Sequence, residues 1–490
     1  MATTDFLEFH AHHRPEAVAV VASGRPITYR RFFRDVRRFT LALEDFRIPR
    51  GSLVAVACDD MYLHWILLLA WENLGVATAS YKRNEFQDAI GPLLQNAACV
   101  MSTHPVRVGE GTRFHQITTP WARGIFQSPA NADREWPRHA AVGMDEWLRV
   151  RRSSGTTGGP KMMKISRRAE EQLLVNWQHF AGLTSSSRLL VGLDFAVASM
   201  YARSTACLRL GATCIFERRF GAYRSIVEHR PTHVKLFQYQ LPELLDEFEA
   251  AGFKPEGLTA IIGAAPLSNR LRARVMRVLA TELVYTYVAN ESGFMAVIGE
   301  DGVATLSPEV SMRVVDESGA EVATGETGRI CVRSPGLTDG YMMNDQANEQ
   351  MFRDGWFISG DAATAVGPRQ IRLVGRSDDL LNIGGIKSAP SSIEEHVAEI
   401  AGVTDVAVTA VEGKDDVQEI GVAIVLNPDV DFRKTEAVIL DRLARRYGRA
   451  RVIAVQSIPR TEDSGKIQRN RLRALFERTA DSRHVRGERT

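Results

Sequence analysis

An α/β fold, with a large N-terminal domain and a small α+β domain behind it, is predicted by three observations. Strand-like and helix-like segments alternate up to about Asp301, short β-like runs between turn residues follow, and a second mixed alternation begins after Arg376. At 490 residues the chain exceeds one ordinary core, so two or more domains are expected. The predicted division is 1–376, including a β-rich subdomain at about 301–376, and 377–490.

Each element has its own signal. Residues 52–58 form a Val/Ala-rich run that reads as a buried strand, and Asp59 or Asp60 then caps an apolar-periodic helix ending before Gly75. A strand at 76–80 and a helix at 85–98 follow. Such alternation implies right-handed crossovers and mostly parallel sheets with helices on their faces. Residues 169–181 read as helix, 188–193 and 212–217 as strands, and 241–251 as an acidic amphipathic helix. Residues 259–263 read as a strand that runs into Ala264-Ala265-Pro266, before a helix at 269–280. The subdomain holds β-like runs at 311–316, 328–333 and 370–374. The last unit reads helix 391–400, strand 403–411, strand 419–426, helix 435–447 and strand 451–455, enough for an independent core.

Composition narrows the function classes. Sixty-one basic against 59 acidic residues give a net charge of +2, without the field that marks a nucleic-acid binder. The partners expected are small molecules. Five cysteines, Cys58, Cys99, Cys207, Cys214 and Cys331, are scattered and show no metal or redox spacing, which fits a reduced cytoplasmic setting. The N-terminus has acidic Asp5 and Glu8 where a signal peptide is basic, and the apolar run at 65–71 stops at Glu72, so no export signal or membrane span is expected. His10, His12 and His13 read as an exposed helix end.

The stretch from Arg151 to Lys161 concentrates hydroxyls, glycines and one lysine, which is chemistry suited to a polyphosphate. It is not a P-loop, because Pro160 precedes Lys161 and Met162 follows it. Alone, such a run is more often a surface loop. In open α/β sheets ligands gather where strands end, and the loops at 151–161, 263–266 and 287–293 sit at such ends.

Five ordered stretches then stand together: 153–161, 263–266, 287–291, 355–361, and 375–394 with Gly465-Lys466 near the end. In order and spacing they resemble the adenylate-forming superfamily of acyl-CoA and aryl-CoA synthetases, luciferases and peptide-synthetase adenylation domains. The resemblance spans roughly residues 6 to 475. It implies ATP- and Mg²⁺-dependent activation of a carboxylic acid to an acyl-adenylate with release of pyrophosphate. Acyl transfer to a pantetheine thiol follows, CoA being the default acceptor and a separate carrier protein the runner-up. It leaves open a monomer or a homodimer. A rival of another class is a nucleotide-binding homologue that no longer catalyses and serves as a partner or regulator.

By this resemblance Ser153, Ser154, Gly155, Thr156, Thr157, Gly158 and Lys161 hold the ATP phosphates, and Gly263, Ala264 and Ala265 pass along the adenine. Tyr287 lies against the adenine, Asn290 contacts the α-phosphate, and Glu291 holds Mg²⁺, a hard cation that takes oxygen ligands. Asp361 accepts from the ribose hydroxyls and Arg376 holds ribose and phosphate. Asp378 is the hinge of a mobile C-terminal domain, Gly384 and Gly385 line the thiol tunnel, and Lys466 stabilises the charge that builds during attack.

The chain departs from the family pattern at several points. Val288 replaces a glycine, Asn290 a threonine and Ala264 a glycine, Arg167 stands where relatives often have His, and the segment 459–465 is one residue longer than usual. The acyl pocket is expected to draw on Phe195, Val197, Ala198, Tyr201, Phe237, Gln238 and Gly263. With no Asp at the position that pairs an amino group, an apolar acid, aromatic or short, is favoured over an amino acid. Arg442, Arg445, Arg446, Arg449 and Arg451 make the small domain locally basic, which suits the phosphates of CoA or an acidic carrier as well as a solvated helix face.

Overall fold

The computed structural model describes residues 2–477 apart from 84, 86, 129–135, 138–142, 153–160, 218–220, 264–266, 380, 384–385, 389, 413–417, 445–448 and 462–464. Its organising element is the helix Met61–Asn73, which begins at Asp60, whose carboxylate accepts from the Leu63 amide at 3.0 Å. Every residue of that helix is buried. It lies between two sheets, sharing one core with Val54 and Val56 on one side and Leu189, Cys214 and Phe216 on the other. Its mostly apolar sequence, with His64, Glu72 and Asn73 as the buried polar exceptions, suits such a middle layer.

The smaller sheet runs Arg113–Gln116, Cys99–Ser102, Leu53–Ala57, Ala77–Ser80, Trp147–Arg152 and Met162–Ser166, with only the last pair antiparallel. That last hairpin flanks the glycine-rich segment. Arg151 and Arg152, read from sequence as the start of a loop, are strand residues instead. Their guanidinium groups reach Glu170 at 2.6 Å and Glu85 at 2.5 Å, and these pairs fix the strand end.

The larger sheet has 14 strands among the described residues. Its parallel part places His233–Leu236 beside Thr259–Gly263, and Thr259–Gly263 beside Glu282–Ala289. The turn-rich stretch after Asp301 is the antiparallel end of this same sheet, since Val303–Leu306 pairs with Gly293–Ile298 on one side and Gln370–Arg376 on the other. Thr327–Arg333, Trp356–Gly367 and Gln370–Arg376 continue it. From Leu381 onward the chain forms sheets of its own. Val403–Glu412, Gln418–Leu426 and Ala450–Ala454 carry the helices Pro390–Ala398 and Phe432–Ala444 on one face, while Ile458, Leu472 and Phe476 cover the other.

The N-terminal histidines close the helix Thr3–His13, yet His10 is buried, with Nε2 at 3.0 Å from the Arg209 carbonyl. Among the described residues no cluster of His, Cys, Asp and Glu could hold a metal ion, and no helix is long and apolar enough to cross a membrane.

Candidate active site

Three strands converge on the first group of predicted residues. Antiparallel register sets Asp361 opposite Arg376, and Tyr287 stands where its strand bulges against Gly293–Ile298. The Tyr287 hydroxyl donates to Asp361 Oδ2 at 2.6 Å, and Arg376 Nη1 reaches Asp361 Oδ1 at 3.4 Å. Burial first, and the Asp361 charge second, push the Tyr287 phenol well above its ordinary range, so it remains a donor. The result is an oriented carboxylate beside an aromatic face, an arrangement able to accept from a vicinal diol.

A second group forms at the end of the Tyr287 strand. Glu291 Oε1 accepts from the Tyr341 hydroxyl at 2.9 Å, and burial followed by the Glu291 charge raises the Tyr341 phenol. Lys161 Nζ lies 4.7 Å from the centre of the Tyr341 ring, within cation–π range. The Asn290 amide donates to the Arg152 carbonyl at 3.4 Å, so this group is joined to the last strand residue before the glycine-rich segment. Carboxylate oxygen is the donor type that Mg²⁺ takes, and Glu291 supplies it here. Tyr341 was not legible in the sequence, because no motif spacing marks it.

At the end of the strand Thr259–Gly263, a Cβ on Gly263 would fall 2.8 Å from Thr286 Oγ1 and 3.5 Å from Lys235 Nζ. Only glycine fits against Thr286 there. The Phe237 ring stacks on Tyr239 with centroids 6.0 Å apart, Gln238 is half-buried, and Val197 caps the helix Ala198–Leu210. Phe195 and Tyr201, expected in the acyl pocket, are buried and pack against the helix Met61–Asn73. Phe195 meets the rings of His64, Trp65 and Phe216, while the Tyr201 hydroxyl donates to Glu72 at 2.8 Å under the Arg149 guanidinium. The fully buried helix Met61–Asn73 needs partners of this bulk, and these side chains provide them.

Lys466 is exposed on a turn fixed at both ends, Thr461 N donating to the Lys466 carbonyl at 2.8 Å and Lys466 N to Thr461 Oγ1 at 3.1 Å. Arg460 braces it, donating to the Gly465 carbonyl at 3.1 Å and to both oxygens of Asp405 at 2.8 and 3.1 Å. Gly465, at φ 65°, is buried against the Tyr239 ring of the large N-terminal part, so that a Cβ there would collide with it. The turn of the last domain is thereby seated next to Phe237 and Gln238.

Ser153, Ser154, Gly155, Thr156, Thr157, Gly158, Ala264, Ala265, Gly384 and Gly385 lie outside the described residues, as do the side chains of Ala198 and Asp378. The backbone of Asp378 lies in the short 3₁₀ turn Ser377–Asp379 that follows Arg376.

The hairpin that flanks the glycine-rich segment, the Asp361 carboxylate held by Tyr287 and Arg376, and the lysine turn of the C-terminal part make up the candidate site. A sequence model of the AMP-binding enzyme family matches residues 7–342, and the chain belongs to that family. The chain is 24% identical over 482 residues to a 2-succinylbenzoate–CoA ligase of Listeria monocytogenes, covering 96% of this chain and 99% of the relative. It is 29% identical to an indoleacetate–CoA ligase of Aromatoleum aromaticum, covering 98% and 99%. Among solved structures, ATP-bound MatB from Rhodopseudomonas palustris superposes with a TM-score of 0.84 at 20% identity, covering 97% of this chain and 99% of that one. MenE from Bacillus subtilis with the acyl-adenylate intermediate OSB-AMP gives 0.82 at 20% identity, covering 95% and 97%.

Proposed function

We propose that this protein is an AMP-forming acid–thiol ligase that acts in the cytoplasm. A carboxylate oxygen attacks the α-phosphorus of ATP, pyrophosphate leaves, and a mixed acyl–phosphate anhydride forms. The sulfur of CoA then attacks the acyl carbon, and AMP leaves with the former carboxylate oxygen. The acid, ATP and CoA fit the reaction named for the relatives, ligases of succinylbenzoate and indoleacetate.

The observation that carries this reading is the convergence of Tyr287, Asp361 and Arg376 with the Asn290–Glu291 group. In this reading Asp361 orients the ribose, Arg376 and Lys161 bind phosphates, Asn290 donates to the α-phosphate and Glu291 holds Mg²⁺. When bound, that ion neutralises polyphosphate charge. Lys466 meets the charge that develops between carboxylate and α-phosphate, a stabilisation realised best in the transition state. Asp378 serves as the pivot, and Gly384 and Gly385 admit the pantetheine arm for the second step. No protein nucleophile is needed, because orientation and charge stabilisation are the dominant effects.

The test is pyrophosphate release from ATP with a panel of carboxylic acids, each assayed with and without CoA. Turnover completed by CoA is the expected result. Turnover completed only by a carrier protein would replace CoA as acceptor, and silence across the panel would overturn the ligase reading.

A further inference from the structure

We infer that the acid activated here carries a second carboxylate, which docks at the inner end of the acyl pocket on Lys235 and Arg203. The inference rests on the ligase reading above and names the substrate class for that site.

Strand alternation aims Lys235 at the pocket. In the strand His233–Leu236, Val234 and Leu236 belong to the core on the outer face of the sheet. Lys235 points the opposite way, toward Gly263 and the face where Ile261 packs. Its ammonium lies 3.5 Å from the position that a Cβ on Gly263 would take. Gly263 is thus packed against Thr286 with the Lys235 ammonium just beyond it.

Arg203 comes from the helix Ala198–Leu210. Its guanidinium lies 3.7 Å from the centre of the Trp177 ring, and Nη1 donates to the Ser199 carbonyl at 2.9 Å. Its Nε is buried with no hydrogen-bond partner among the described residues. Lys235 is 8% exposed and Arg203 1%. Among the described residues neither cation meets a carboxylate. Lys235 instead has the Phe237 ring, with its centre at 4.9 Å.

Two buried cations that repel one another are unfavourable unless an anion joins them. Burial draws the Lys235 ammonium well below its ordinary range, and the nearby Arg203 adds to the effect. Burial likewise lowers Arg203 to about 9, still protonated at neutral pH. A pocket made for an apolar acid has no use for either group. A carboxylate satisfies both, while the Phe237 ring beside Lys235 offers apolar surface to the body of the substrate. In this inference a diacid takes the place of the apolar acid expected from the sequence.

The experiment compares matched acids with the full-length protein: phenylacetate against 2-carboxyphenylacetate, and valerate against glutarate. The expected result is a kcat/KM for pyrophosphate release at least about tenfold higher for the diacid of one pair, since a site built for a polar group rejects the analogue lacking it. Lys235→Met will collapse that ratio, chiefly through KM, and Lys235→Arg will restore part of it. A diacid will also raise the melting temperature of the wild-type protein and not that of Lys235→Met, a readout independent of turnover. Equal or better use of the monoacids, or a ratio unmoved by Lys235→Met in a folded variant, overturns the inference and leaves the ligase reading standing. No pyrophosphate and no melting shift with any acid overturns both.

Discussion

Gly465, in a left-handed conformation, lies against the ring of Tyr239, so the turn carrying Lys466 meets the end of the strand that leads into Phe237 and Gln238. Gly465→Ala adds backbone strain of ~1 kcal/mol and a methyl group with no room beside the ring. Pyrophosphate release is expected to fall by at least about tenfold through mispositioning of the lysine. Adding Tyr239→Ala removes the collision and recovers part of the rate. An unchanged rate in Gly465→Ala would show that the turn is not seated on Tyr239 during adenylation.

Tyr287→Phe deletes the hydrogen bond to Asp361 and keeps the ring. One net hydrogen bond is worth ~1 kcal/mol, so KM for ATP is expected to rise about fivefold with little change in kcat. A fall in kcat alone would assign the pair a role in the transition state instead.

Lys466→Ala separates the two half-reactions. Loss of the charge proposed to meet the developing negative oxygens is expected to slow pyrophosphate release by at least about 100-fold. Thioester formation from a supplied acyl-adenylate will continue near the wild-type rate. Equal loss of both steps would refute the division of labour between Lys466 and the segment around Gly384.

Stability has a predictable pH dependence through His233. Its Nε2 lies 2.8 Å from the Ala181 carbonyl and its Nδ1 2.8 Å from the Thr232 hydroxyl, an arrangement for a neutral ring that donates at one nitrogen and accepts at the other. Burial lowers its pKa below the ordinary 6.5, outweighing the Ala181 bond and the charge of Glu282. The unfolded chain then binds the proton first, so this contribution is complete above pH 6.5 and is lost as pH falls from there through the depressed folded value. A thermal midpoint flat from about pH 8 to 7 and falling below the unfolded value is expected, with a shallower fall in His233→Gln. An unaltered slope in that variant would exclude His233 as a source.

Much of the frame was legible before any coordinates. The strand at 259–263 and the helix at 241–251 match the observed bounds, because turn residues and apolar periodicity agree at their ends. Asp361 and Arg376 were identified by motif register, but that they face one another across two antiparallel strands became visible only in the fold. Tyr341 and Lys235 left no trace in the sequence. The first lies 50 positions from its partner Glu291, and a lone lysine in a strand gives no sign of which face it takes. The packing of Phe195 and Tyr201 was equally hidden, because an aromatic residue near a helix start serves a core as readily as a pocket.

The bonds from Arg460 to Asp405 and to the Gly465 carbonyl lie wholly within the C-terminal part of the chain. Lys466 is therefore mounted on a unit that carries its own scaffold, joined to the rest through the short segment Ser377–Asp379. Such a unit can be exchanged as a cassette between homologous enzymes with its lysine geometry intact. Acid selectivity, proposed to be set in the other part of the chain, would then stay with the recipient.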